Sequence, residues 1–146
     1  MNGMPVWVKS PDGKAVVITK NGQLVTASLY YDLTKYNELA EADTAYKFYD
    51  PKTGSQFIIT GIVMYADKQV GTSTGATVEI YEATTATTIT VTRELFKMEV
   101  PQGGYPPIPQ LNIGVNEGFY INAKTDDDDV HVNIMGYYID NTGETF

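Results

Sequence analysis

The chain has 146 residues, 42% of them hydrophobic and 12% aromatic, with 10 Lys and Arg against 18 Asp and Glu for a net charge of -8. One domain of this size buries roughly 70% of the surface that its unfolded chain exposes, and the composition is that of a folded protein rather than an acidic disordered tail. The cationic residues are scattered singly, which excludes sequence-independent binding to a phosphate backbone, so nucleic acid is not an expected partner.

The chain has no cysteine, which removes disulfides, thiolate metal sites and cysteine nucleophiles together and leaves the redox compartment open. No run reaches the roughly 18 apolar residues of a membrane span. The opening MNGMPVWVKSPDGK holds no apolar signal core, so neither classical export nor membrane insertion is expected.

Residues 1–30 alternate in short bursts, Val6 to Val8, Ala15 to Thr19 and Leu24 to Leu29. Pro11-Asp12-Gly13 and Asn21-Gly22 separate them, and both are tight-turn chemistry. This is a β-hairpin arm, too small to hold a core alone, so it lies on the main domain or on another chain. From Asp32 to Tyr46 the pattern changes: Leu33, Tyr36, Leu39 and Ala40 fall at helical spacing, with Asp32 as an N-cap, and a short helix is expected. Asp50-Pro51-Lys52-Thr53-Gly54 marks a turn, and everything beyond it reads as strand.

Phe57 to Ala66 is apolar at both odd and even positions, which suits a strand buried on two sides. Ala76, Val78 and Ile80 alternate against Thr77, Glu79 and Tyr81 in a one-sided pattern. Thr84 to Thr92 is expected as a strand with Ile89 and Val91 inward, because β-branched Thr favours strands. Phe96, Met98 and Val100 continue to Pro101, where a loop with four prolines begins and runs to Pro109. Leu111, Ile113 and Val115 lead through Asn116-Glu117-Gly118 into Phe119, Ile121 and Ala123 as a hairpin. Thr125 to Asp129 then turns the chain into Val130, Val132 and Ile134, with a bulge expected at Gly136 before Tyr137, Tyr138 and Ile139. Strands repeating about every 8 to 12 residues are the mark of a sandwich or barrel.

Few residues carry chemistry. His131 is the one histidine, on a polar strand face opposite Val130 and Val132, and reads as a surface or interface residue rather than a general base. The serines show no Gly-x-Ser-x-Gly context. Asp126 to Asp129 lack the alternating spacing of a cation loop and read as a solvated turn. Gly103 to Pro109 reads as a stiff projecting loop or a polyproline ligand. The 11 tyrosines exceed what packing alone requires, and tyrosine suits protein interfaces and sugar-binding faces alike. No catalytic, cofactor-binding or metal residue is expected.

The segments FIITGIVMYADKQVGTSTGATVEIYEA, PQLNIGVNEGFYINAKT and VHVNIMGYYID resemble small jelly-roll virion proteins of tailed bacteriophages, particularly capsid decoration (cement) proteins. The resemblance spans about the last 90 residues. It rests on strand rhythm, the Val-x-x-Gly at Val115 to Gly118 and the terminal Gly-Tyr strand. It implies an all-β, jelly-roll-like antiparallel β-sandwich at residues 31–146 with an arm at 1–30. It further implies a non-enzymatic homotrimer that bridges subunits of the major capsid protein and stabilises the phage head, with assembly in the host cytoplasm and residence in the virion. No cofactor is implied.

Trp7, Val8, Val17, Tyr105, Pro107, Tyr137 and Tyr138 are the expected capsid or subunit contacts. The alternative is a carbohydrate- or receptor-binding sandwich of a fibre or tail, with Tyr105, Tyr137, Tyr138 or Trp7 stacking on sugar rings. A glycosidase would need two positioned carboxylates. Asp67, Glu79 and Glu94 are available, but nothing in the sequence pairs them.

Overall fold

In the computed structural model, the described residues are 8–9, 15–16, 33–67 and 75–140. The chain divides into two compact units, residues 1–31 with 143–146 and residues 32–142. In the first, β1 (Val8–Lys9) pairs antiparallel with β2 (Ala15–Val16), Val8 opposite Val16 and Lys9 opposite Ala15. The ladder brackets Pro11-Asp12-Gly13. The third expected burst, Leu24 to Leu29, lies outside the described residues.

The second unit holds β3 (Leu33–Leu39), β4 (Tyr46–Tyr49), β5 (Ser55–Ala66), β6 (Ala76–Ala83), β7 (Arg93–Val100), β8 (Ile113–Gly114), β9 (Tyr120–Thr125) and β10 (Val130–Asp140). They form two four-stranded antiparallel sheets, ordered β3-β10-β5-β8 and β4-β9-β6-β7. The sheets pack as a β-sandwich over one apolar core that includes Leu39, Ile59, Met64, Ile80, Ile121 and Ile134. Each such side chain, once buried, contributes about 1.5–3 kcal/mol.

Among the eight strands of the sandwich, only β6 and β7 are both consecutive in the chain and neighbours in a sheet; every other connection crosses from one sheet to the other. The expected hairpin through Asn116-Glu117-Gly118 is therefore a crossing. Gly118 supplies its positive φ of 88°, as Gly54 supplies 72° in the turn after β4, and the Gly54 N–H donates to Glu117 Oε1 at 2.7 Å. Two crossing turns are thus tied together at one pole.

Three further sequence expectations are corrected. The segment with helical spacing is the edge strand β3, antiparallel to β10 with Asn133 opposite Tyr36. An edge strand exposed on most of both faces shows no clean alternation, so chance spacing at Leu33, Tyr36 and Leu39 imitated a helix. The apparent two-sided burial of Phe57 to Ala66 comes from a bulge. Met135 opposes Gly61 while Gly136 opposes Ile59, which leaves Thr60 as the extra residue on β5. The core face accordingly moves from Phe57 and Ile59 to Ile62, Met64 and Ala66, and Val63 stays exposed. The irregularity expected at Gly136 thus inserts its extra residue in β5 rather than in β10.

The third correction concerns Thr84 to Thr92, which is not a strand. It folds back as a strap over the outer face of the second sheet, where Tyr81 Oη donates to Thr88 O at 2.8 Å and Lys124 Nζ to Ile89 O at 3.1 Å. Asn122 Nδ2 donates to Thr85 O at 3.0 Å. Tyr81 is thereby fully buried although it lies outside the core, and Ile89 is 48% exposed rather than inward. Backbone carbonyls that would have fed a ladder accept from side chains instead.

Candidate functional site

Among the described residues, the outer face of the first sheet carries a group of unburied rings. On β10 the residues facing away from the core are His131, Asn133 and Met135, because Val130, Val132 and Ile134 are fully buried. Register sets His131 between Glu38 and Tyr65, and Asn133 between Tyr36 and Val63. The loop after β7 returns along the same edge. Gln102 bridges Ala66, the Gly103 N–H donates to Ala66 O at 2.7 Å, and Tyr105 then lies on Tyr65 with ring centroids 4.9 Å apart. Pro101 and Gly104 shape this approach, since a Cβ on Gly104 would sit 3.2 Å from the Pro101 ring.

These residues border an open, shallow hollow of about 240 Å³, lined by Tyr36, Val63, Tyr65, Tyr105, His131 and Asn133 with Met64 and Val132 beneath. Its histidine is held at both nitrogens. Tyr36 Oη lies 2.6 Å from Nδ1, and Asp67 Oδ2 lies 3.0 Å from Nε2. Both contacts are satisfied when Nε2–H donates to the carboxylate and the Tyr36 hydroxyl donates to Nδ1. The Tyr36 and His131 rings are near-parallel, at 9° and 6.0 Å. Tyr36 and Tyr105 are 54% and 70% exposed. The chain therefore orders its rings by hydrogen bonds and offers their faces to solvent. Asn133 Oδ1 is buried with no hydrogen-bond partner among the described residues.

Of the expected contact residues, Tyr105 belongs to this hollow, and Pro107 is exposed on the same loop. Tyr137 is half-buried on β10. Tyr138 is held in the fold: its ring meets Phe57 edge-on at 4.9 Å and its hydroxyl donates to Asp50 O at 2.7 Å. Burial, and then the Asp50 charge, push its phenol pKa upward. Trp7 and Val17 lie outside the described residues, as does the side chain of Val8. Sequence reasoning missed Tyr36, Tyr65 and Asn133 as site residues. The available signal was the shared parity of Val63, Tyr65, His131 and Asn133, which becomes a surface only once β5 and β10 are known to pair.

The other candidates resolve into structural roles. Asp126 Oδ1 accepts the Thr77 N–H at 2.6 Å and Asp128 Oδ1 accepts that of Ala42 at 2.8 Å. These carboxylates cap backbone amides at the crossing into β10, where Asp129 has a φ of 58°. Among the described residues no group of three or more His, Cys, Asp or Glu is placed to hold a metal ion. Asp67 engages His131 on one sheet and Glu79 meets Lys124 at 3.4 Å on the other, so these two carboxylates do not face each other.

Glu82 is 1% exposed and accepts from Arg93, from Asn116 N at 2.7 Å and from Asn116 Nδ2 at 3.3 Å. Arg93 also donates to Gly114 O at 2.7 Å, so this network joins β6 and β7 to β8 of the opposite sheet. Burial alone would raise the Glu82 pKa, but the donors from Arg93 and Asn116 hold it below its ordinary value.

No protein family, curated protein or solved structure matches the chain. The site therefore has to be read from its own geometry.

Proposed function

We propose that this chain is a non-enzymatic virion structural protein, a decoration (cement) protein that stabilises a bacteriophage head by bridging subunits of the major capsid protein as a homotrimer. The observation that carries the reading is the strand order. Eight strands whose connections cross between sheets at every step but one, ordered β3-β10-β5-β8 and β4-β9-β6-β7, support a jelly roll, an architecture used by viral capsid and lectin domains. Fold alone does not assign function, and the points where the chain enters β3 and leaves β10 add to it. β3 begins opposite Gly136 and β10 ends opposite Ser55, so the sandwich receives and releases the chain at the same end of one sheet. Residues 1–30 precede that strand in the sequence and are read as an arm that adds a strand to a neighbouring capsid subunit, with Trp7, Val8 and Val17 as its contacts.

The test is co-sedimentation with empty heads of the phage that encodes the chain, together with native mass measurement. The full chain is expected to pellet with heads and to weigh as a trimer. A chain lacking residues 1–25 is expected to stay folded and to remain in the supernatant. A monomer that ignores heads overturns the reading, and retained head binding by the truncation removes the role of the arm.

A further inference from the structure

We infer that the hollow on the outer face of the first sheet is a binding site for a neutral hydroxylated ring, a pyranose sugar. The inference rests on this hollow alone and is independent of the capsid reading.

Three features select that chemistry. First, Tyr36, Tyr65 and Tyr105 are aromatic faces left unburied on a folded domain, and rings of this kind stack on the C–H face of a sugar while their hydroxyls remain wet. Part of the face is held in place before any ligand arrives: His131 is tied to Asp67, and Tyr105 lies against Tyr65 in a tilted ring contact. Pre-ordering of this sort lowers the entropy cost of binding.

Second, the unused hydrogen-bonding capacity is mostly acceptor. Asn133 Oδ1 has no partner among the described residues, and a buried acceptor left unmade costs about 1–3 kcal/mol. Asp67 Oδ2 accepts only one bond from His131 among those described, and its side chain is 49% exposed. A ligand rich in O–H donors satisfies these groups. A purely apolar ligand leaves Asn133 unmet, and a quaternary ammonium, the other ligand of tyrosine cages, has no hydrogen to donate. An anion is opposed by Asp67 and Glu38 beside His131 and by the net charge of -8.

Third, the hollow is shallow and open, about 240 Å³, with room for one ring to lie against the tyrosines. Asn133 lines the hollow beside Tyr36, which is 54% exposed and bonded at its hydroxyl to His131.

The experiment uses the full chain against an immobilised array of neutral glycans, followed by saturation-transfer NMR with free methyl glucopyranoside, galactopyranoside and mannopyranoside, and with choline chloride. Binding to at least one neutral pyranose is expected, with signal on ring C–H protons. Tyr105→Ala is expected to weaken it tenfold or more while the unfolding midpoint stays put, because Tyr105 is 70% exposed. Tyr138→Phe, outside the hollow, is expected to bind as the parent does. The inference is overturned by absence of any neutral pyranose signal, by binding of choline instead, or by affinity unchanged in Tyr105→Ala. It is equally overturned if Tyr105→Ala changes the oligomeric mass and not glycan binding, which makes the face a contact between copies. Head co-sedimentation is read separately, so failure here leaves the capsid reading where it stood.

Discussion

Tyr49 gives the sharpest test of how the two sheets are joined. It sits on β4 of one sheet, is 8% exposed, and stacks on Phe57 of the other at 4.2 Å. Its hydroxyl crosses the core to donate to Ile134 O at 2.6 Å and, more weakly, to Leu33 O at 3.2 Å. Burial first, and then the neighbouring Tyr138, push its pKa from 10.0 up to about 12. An unfolded chain releases this proton near 10 while the folded chain keeps it to about 12. The folded state therefore binds more protons in that window, and stability falls as pH rises through it. Two pH units correspond to about 2.7 kcal/mol, fully present below pH 10 and gone above pH 12.

Tyr49→Phe removes both the hydrogen bonds and the titration. Near neutrality the variant is expected to lose about 1–2 kcal/mol, the usual cost of deleting a buried donor from its carbonyl partners. With alkali the parent loses its advantage while the variant does not, so the two stability curves are expected to cross at about pH 11. Urea unfolding of both proteins from pH 8 to 12 measures this. Tyr81 and Tyr138, whose pKa values burial also raises, are present in both proteins and cancel in the difference. Parallel curves across the whole range would refute the reasoning, since they would mean that the Tyr49 phenol ionises as readily folded as unfolded.

Other expectations concern single residues. Glu82→Ala strands the Asn116 amide and Arg93 and is expected to cost about 2–4 kcal/mol in urea unfolding at pH 7, below the usual range for a broken buried pair because the Arg93 side chain is 44% exposed. The lowered Glu82 pKa stabilises the fold above the unfolded value of 4.5 and ceases to do so as pH falls through the folded value. The parent should accordingly lose more stability than Glu82→Ala on acidification below 4.5, and an equal acid loss argues against the network. Gly136→Ala places a Cβ 2.1 Å from Ile58 O and 2.6 Å from the Phe57 ring. It is expected to cost about 3 kcal/mol. Gly118→Ala meets nothing within 4 Å and bears only its positive φ, for about 1 kcal/mol. Equal thermal shifts for the two glycine variants would remove the close approach at Gly136.

The sequence was most legible where one face of a strand is buried and the other is not. The alternation of Ala76, Val78 and Ile80 located β6, and that of Val130, Val132 and Ile134 located β10, because these strands pack on the core along one side only. It misled where backbone groups found partners out of register with the side-chain pattern. One inserted residue, Thr60, turned a half-buried strand into an apparently two-sided one, and the threonines of 84–92 carried strand propensity into a segment whose carbonyls serve Tyr81, Asn122 and Lys124. The crossing connections were illegible for a related reason. A Gly-containing turn fixes the local reversal of the chain but not which sheet the next strand joins. The hollow assembles residues from β3, β5, the proline loop and β10, so the parity shared by Val63 and Tyr65 and by His131 and Asn133 became a surface only through the pairing of distant strands.

The charge of the chain bears on where such a site can exist. A net charge of -8 spread evenly would set carboxylates on every face, yet several are drawn to the poles by the crossings themselves. Asp126 and Asp128 accept backbone amides at one pole and Glu117 at the other, while Glu82 is buried against Arg93. Each does what a folded chain with so many sheet-to-sheet crossings requires, namely to satisfy N–H groups that no ladder reaches. The outer face of the first sheet is thereby left with Tyr36, Val63, Tyr65, Asn133 and the His131–Asp67 pair, and Glu38 is the remaining carboxylate beside it. The carboxylates of these crossings thus serve backbone amides at the ends of the sandwich, whereas the aromatic face across the first sheet keeps Asp67, paired with His131, and Glu38 beside its rings, a charge pattern that admits a neutral ligand and opposes an anion.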